Sequence, residues 1–328
     1  MFQFIEKLTA FISQHLTFLI FIVMLLGLAN GYFFGGIPFN IGICAIASFL
    51  MIYPMFINLK IEDIIEIKHH LGPVALSIGI NFILSPIFAY GLGLLFLSDQ
   101  PFMRLGLMLI ALIPTSGMTA TWTERSHGNL KVALAIIAVS LLIVIIGLPL
   151  ALPFIAGNLL QAGPWFIFQR ILLVIILPLT MGDITRRILI AKKGLEYFKK
   201  KKPFFSGLSS TGLLIVLFLI MSLDANSILI NNPLLTLQAL LPLVIYYVLM
   251  FTTSSILTSK LNYAVGVAVV FGTSVRYLAL ALGIVIPLLG NTTNSNLVVL
   301  VVALGFFVQV PLASLYTKLI FNSVSQVR

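Results

Sequence analysis

From Leu8 to Leu59 the chain contains no aspartate, glutamate, lysine or arginine. Drawn out as one helix at about 1.5 Å per residue, that run would reach roughly 78 Å, more than twice a bilayer hydrocarbon core of about 30 Å. It must fold back on itself, and Asn30-Gly31, Gly35-Gly36 and Pro38-Phe39-Asn40 mark where it is expected to do so. The rest of the chain has the same character. Hydrophobic residues make up 60% of the 328 residues and charged ones only 9%, against about 25% charged in a soluble protein. So few charges cannot cover so much apolar surface in water, which excludes a soluble globule, a disordered chain and a coiled coil. The mean hydropathy of +1.15 fits an integral membrane protein. One cysteine, Cys44, offers neither an intrachain disulfide nor a thiolate cluster. The amino-terminal MFQFIEKLTA shows no cleavage pattern, so the first apolar run is expected to remain as a span.

Charges punctuate about ten expected spans, near 16–33, 38–58, 72–97, 102–123, 131–154, 164–182, 206–223, 233–256, 261–288 and 295–320. Placing both termini and the even-numbered connections on one side gives that side 16 of the 19 basic residues. The positive-inside bias makes it the cytoplasm, in the plasma (inner) membrane, with both termini inside. The net charge of +10 is then topological and calls for no nucleic acid. The run 61–72 reads as an interfacial amphipathic helix whose Glu66 and His70 face solvent rather than a metal, and KKGLEYFKKKK (192–202) as a topogenic block able to meet acidic headgroups.

The spans fall into two sets of five, 1–160 and 161–328. The fourth span is interrupted at IPTSGMT (113–119) and the ninth at FGTSVRY (271–277), with half-helices expected to restart near Gly117 and Val275. Five spans per unit is odd, so the second unit is inserted upside down. Inverted repeats with paired broken helices characterise secondary transporters that bind substrate near the midplane. The expected fold is therefore all-α, a polytopic membrane protein of two inverted five-helix repeats whose broken fourth and ninth helices cross.

Half-helix N-termini carry unpaired N–H groups and partial positive charge, which suits an anion or an oxygen-rich solute. The candidate substrate-binding residues are Pro114, Thr115, Ser116, Gly117, Thr119, Thr273, Ser274, Arg276 and Tyr277. Arg276 is the sharpest of them, with no other charge between Ala264 and Thr317. An arginine at a helix centre costs about 2.5–3.5 kcal/mol on insertion, so it is expected either to face an anion or to pair with Glu124 as a gating ion pair. Asp183 is expected at the membrane surface beside Arg186 and Arg187, and Asn81 and Gln309 as amides bonding between helices. Neither HExxH nor paired Asp-rich motifs occur, and the four histidines at 15, 69, 70 and 127 avoid the central spans, so no enzyme, metal site or cofactor is expected.

PTSGMTATWTERSHGN (114–129) resembles the fourth-helix motif of the bile acid:sodium symporter superfamily, nearest its arsenite-efflux permease branch, with Pro114, Met118 and Trp122 in place. GTSVRYLALALG (272–283) resembles the ninth-helix motif of the same superfamily. The resemblance implies ten spans in inverted repeats and a secondary transporter of a small anion or oxyacid, with sodium or protons as coupling ion and arsenite or antimonite efflux as the alternative. Two departures matter. The permease branch's cysteine is Thr115 here, and where sodium-coupled members carry an acidic residue and a glutamine–asparagine pair, this chain has Gly272, Arg276 and Tyr277.

Overall fold

The computed structural model describes residues 8–9, 11–12, 15–35, 41–58, 70–156, 159, 164–226, 233–289 and 293–325. Among them every regular element is helical: α1 (Leu16–Phe34), α2 (Ile41–Asn58), α3 (Leu71–Phe96), α4 (Pro101–Leu112), α5 (Met118–Arg125), α6 (Leu130–Ala156), α7 (Pro164–Lys193), α8 (Leu195–Asn226), α9 (Pro233–Thr258), α10 (Tyr263–Ser274), α11 (Leu278–Leu289) and α12 (Thr293–Ser325). Five contain stretches long and apolar enough to cross a bilayer: Leu71–Phe96, Leu130–Ala156, Leu195–Leu219, Leu234–Thr258 and Asn296–Leu319. Side chains such as Leu95, Phe154 and Leu241 lie exposed on these helices, as a lipid solvent permits and water does not. The chain is an integral membrane protein.

Local structure departs from the sequence expectation in several places. Helix α1 continues through Asn30-Gly31 and ends at Gly35, which takes the left-handed φ of 75° and returns its N–H to the Asn30 carbonyl. The basic block 192–202 is helical on both sides of Gly194. Helix α7 carries Lys192 and Lys193 in its last turn, Gly194 turns at φ 83°, and α8 starts at Leu195, because lysine, leucine and glutamate are good helix formers. The expected amphipathic helix at 61–72 lies outside the described residues up to 69; His70 precedes α3 without a side-chain cap. Helix α3 contains a π-turn over Ile80–Leu84 in which the Ser85 N–H reaches back to Ile80. Pro86 accounts for it, since its ring has no N–H and clashes with the carbonyl four residues earlier.

The chain divides into two compact units, each drawing on both sequence halves. One comprises Met1–Leu59, Ala162–Thr236 and Leu282–Val299. In it α8 packs against α1 and α2, and α2 against α7. Small residues set those approaches: a Cβ built on Gly212 would lie 2.5 Å from the Met51 nitrogen, and one on Gly182 would lie 2.9 Å from the Ile57 nitrogen. Lipid supplies no hydrophobic drive between helices, so such close contact is what holds them together. Gly212→Ala should therefore destabilise the protein by about 1–2 kcal/mol, seen as a lower thermal unfolding midpoint in detergent. Asp183 sits in this unit, bonded to Arg186 at 2.9 Å and Arg187 at 2.6 Å.

The other unit comprises Lys60–Gln161, Leu237–Ala281 and Leu300–Arg328. Its core joins α10 to α3 and α6 through Val74, Val132, Ala135, Ile136, Ala268 and Val269. A second cluster joins α5, α9, α10 and α12 through Trp122, Phe251, Phe271, Val275 and Ala313. Side chains start its helices: Asn129 Oδ1 accepts from the N–H groups of Lys131 and Val132, and Asn262 Oδ1 from that of Ala264.

Candidate functional site

Both expected interruptions lie in this second unit. Helix α4 stops where it must: Ile113 precedes Pro114, a position that disfavours the helical conformation, and it is extended at φ −70°, ψ 156°. The chain resumes as α5 at Met118, one residue beyond the expected restart at Gly117. The second interruption falls later than expected. Gly272, Thr273 and Ser274 remain helical, the break occupies 275–277 with Val275 extended at φ −98°, ψ 99°, and α11 starts at Leu278.

The two breaks pair with each other. Thr115 and Arg276 form an antiparallel bridge, in which the Ser116 N–H donates to the Val275 carbonyl at 3.0 Å and the Tyr277 N–H to the Pro114 carbonyl at 2.9 Å. Backbone groups freed from each helix are thus satisfied by the other, as an apolar medium demands. Because the segments run antiparallel, α5 and α11 leave the crossing in opposite directions and both present their N-termini to it. Opposed residues of an antiparallel pair share a face, so the Thr115 and Arg276 side chains lie on the same side.

Neighbouring helices pin the crossing. From the π-turn of α3, Asn81 Nδ2 donates to the Gly272 carbonyl at 3.0 Å and to Thr115 Oγ1 at 3.3 Å. Thr115 Oγ1 donates to the same carbonyl at 2.5 Å, and the Thr119 hydroxyl to that of Phe271 at 3.2 Å. Ser140 Oγ of α6 accepts the Thr115 N–H at 3.2 Å. From α12, Gln309 clamps Arg276 on both backbone atoms. Its Oε1 accepts the Arg276 N–H at 2.7 Å, its Nε2 donates to the Arg276 carbonyl at 3.2 Å, and Tyr247 Oη of α9 donates to Oε1 at 3.1 Å. Thr273 turns away from the break, donating to the Val269 carbonyl and meeting Ser254 at 2.6 Å. Ser116 Oγ accepts the Met118 N–H at 3.2 Å and starts α5.

Arg276 is 1% exposed. Its Nη1 lies 3.4 Å from the Ile113 carbonyl, a long hydrogen bond, while Nε and Nη2 are buried without a partner. Ser274 Oγ, Tyr277 Oη and Asn81 Oδ1 are also buried and unpartnered. A buried unsatisfied group costs about 1–3 kcal/mol, more when charged, and several such groups belong to residues at or beside this crossing. Glu124 does not supply the missing charge: it is exposed on the last turn of α5, and the Glu124–Arg276 ion pair is not formed in this conformation. The described carboxylates of this unit are Asp99 and Glu124, both exposed. No aspartate or glutamate occurs from Ala225 to Arg328.

Nine candidate residues thus cluster at or beside the crossing, and Glu124 stands apart. Asn81 and Gln309, expected as amides bonding between helices, do so and are its two principal clamps. Ser140 and Tyr247 escaped the sequence reading; a lone hydroxyl amid the apolar run of α6 is the signal that could have found Ser140. No group of three or more histidines, cysteines or acids able to hold a metal occurs among the described residues.

Comparison with known proteins follows the same lines. The arsenical-resistance protein Acr3 of Corynebacterium glutamicum is 29% identical over 278 residues, covering 79% of this chain and 72% of that protein. The Acr3 of Alkaliphilus metalliredigens is 25% identical over 336 residues, covering 94% and 92%. An uncharacterised transporter of Synechocystis sp. is 25% identical over 333 residues, covering 91% and 85%. The model of the sodium bile acid symporter family matches residues 45–231, more than half of the 328 residues. By that match the chain belongs to the sodium bile acid symporter family.

Proposed function

We propose that this protein is a secondary active transporter that moves a small anionic or oxyacid solute through alternating access at the crossing of the two broken helices. The observation that carries the reading is Arg276: a buried guanidinium with two donor atoms unpartnered, no carboxylate beside it among the described residues, and two helix N-termini next to it. Ser274, Tyr277 and Asn81 carry further buried atoms without partners. Family membership supports transport rather than catalysis. In this reading the chain crosses the plasma (inner) membrane ten times, as inverted repeats 1–160 and 161–328 with both termini cytoplasmic, which the placement of 16 of 19 basic residues supports.

The second reading is efflux of arsenite or antimonite, favoured by the two Acr3 relatives. Near neutral pH arsenite is chiefly the uncharged acid, which has little use for a buried cation. A thermal-shift screen of the purified protein against carboxylates, sulfonates, phosphate, bile salts and arsenite separates the two. The anion reading expects a charged oxyacid to raise the midpoint by several degrees and arsenite to leave it unchanged. Stabilisation by arsenite alone, with raised arsenite tolerance in cells expressing the protein, would establish the second reading.

A further inference from the structure

Resting on that reading, the charge balance of the site says how the cycle is driven. The Arg276 guanidinium is buried, with Nε and Nη2 unpartnered and no carboxylate beside it among the described residues. Five carbonyls at the helix breaks accept hydrogen bonds from within the chain. Those of Phe271 and Gly272 accept from Thr119, Thr115 and Asn81, those of Pro114 and Val275 from the opposite segment, and that of Arg276 from Gln309. The Ile113 carbonyl faces the guanidinium itself. A second cation placed there would meet a like charge in a low-dielectric setting, with no carboxylate among the described residues to offset it.

We infer that Arg276 is a built-in cation standing where a coupling sodium would otherwise be needed, and that the protein is a sodium-independent anion exchanger. With an anion bound, the guanidinium and its ligand form a neutral pair that can change its exposure from one side of the membrane to the other. Without one, the carrier would have to reorient with a bare buried charge. Only the loaded form reorients quickly, so an anion must return for each one carried. Net transport is slow and exchange is fast.

The test uses the purified full-length chain in proteoliposomes, with radiolabelled lactate, phosphate, arsenate and taurocholate as probes. Each is offered to vesicles holding the same unlabelled anion and to vesicles holding buffer alone, in sodium and in choline. For the anion carried, preloaded vesicles are expected to take up label at least about tenfold faster than empty ones. Replacing sodium by choline should change the rate less than about twofold. Arg276→Gln should erase the difference between loaded and empty vesicles in whatever transport remains, and Arg276→Lys should keep it. Equal rates in loaded and empty vesicles, uptake that requires sodium, or an exchange preference surviving in Arg276→Gln would each overturn the inference while leaving a transporter. Failure of all four anions to move in either format would overturn the transport reading and the inference together.

Discussion

Arg276→Gln is expected to lower anion transport in proteoliposomes by about 100-fold while leaving the purified protein as stable as the original, or more so. The magnitude follows from losing charge-assisted hydrogen bonds in a desolvated site, worth about 2–5 kcal/mol, at about 1.36 kcal/mol per tenfold in rate. The stability half carries more information. A buried charge that served an internal ion pair would cost about 3–5 kcal/mol to remove, because its partner would be left stranded. Here no described carboxylate partners it, and Nε and Nη2 lack hydrogen bonds, so a neutral amide removes an unfavourable burial. Arg276→Lys keeps the charge but loses the planar fork, and should retain activity reduced by about tenfold. A drop in unfolding midpoint together with full transport in Arg276→Gln would return the arginine to a structural role.

Gln309→Leu should have the opposite signature. The amide holds the Arg276 N–H and carbonyl and the Tyr247 hydroxyl at 2.7, 3.2 and 3.1 Å, and it is 1% exposed. Leucine of similar volume would leave a buried N–H and a buried hydroxyl without partners, at about 1–3 kcal/mol each. A loss of about 3 kcal/mol is expected, read as a lower unfolding midpoint, with transport falling as the extended segment loosens. Gln309→Glu keeps the acceptor and gives up the donor, so its stability should lie between the two. Unchanged stability in Gln309→Leu would mean that the second break holds itself open without the clamp.

How much of this was legible in the sequence follows from where each cause lies along the chain. The break after α4 was readable because its cause is local: Pro114 forces Ile113 out of helical geometry. The π-turn of α3 was equally local, since Pro86 sits in an apolar span, but a proline in a membrane helix suggests several outcomes and only the fold shows which. The second break was placed a few residues early. Gly272, Thr273 and Ser274 look like weak helix formers, yet Thr273 bonds back to its own helix and keeps the turn intact. The actual opening at Val275 to Tyr277 depends on Gln309, 33 residues away, and on the facing strand from Pro114 to Ser116. No local pattern encodes that. Glu124 was a reasonable partner for Arg276 by charge, but it lies at the exposed end of α5, seven residues past Gly117. The isolation of Arg276 was plain from its charge-free surroundings in the chain; that its guanidinium lies unneutralised required the fold.

The most direct test of the central claim is anomalous diffraction from crystals grown with selenate, an electron-dense oxyanion. The expected result is a peak within hydrogen-bonding distance of the Arg276 guanidinium, beside the bridge to Thr115, that disappears in Arg276→Gln crystals. Density that runs helical and unbroken through 113–117 and 275–277, or a selenate peak that persists unchanged without the arginine, would contradict it.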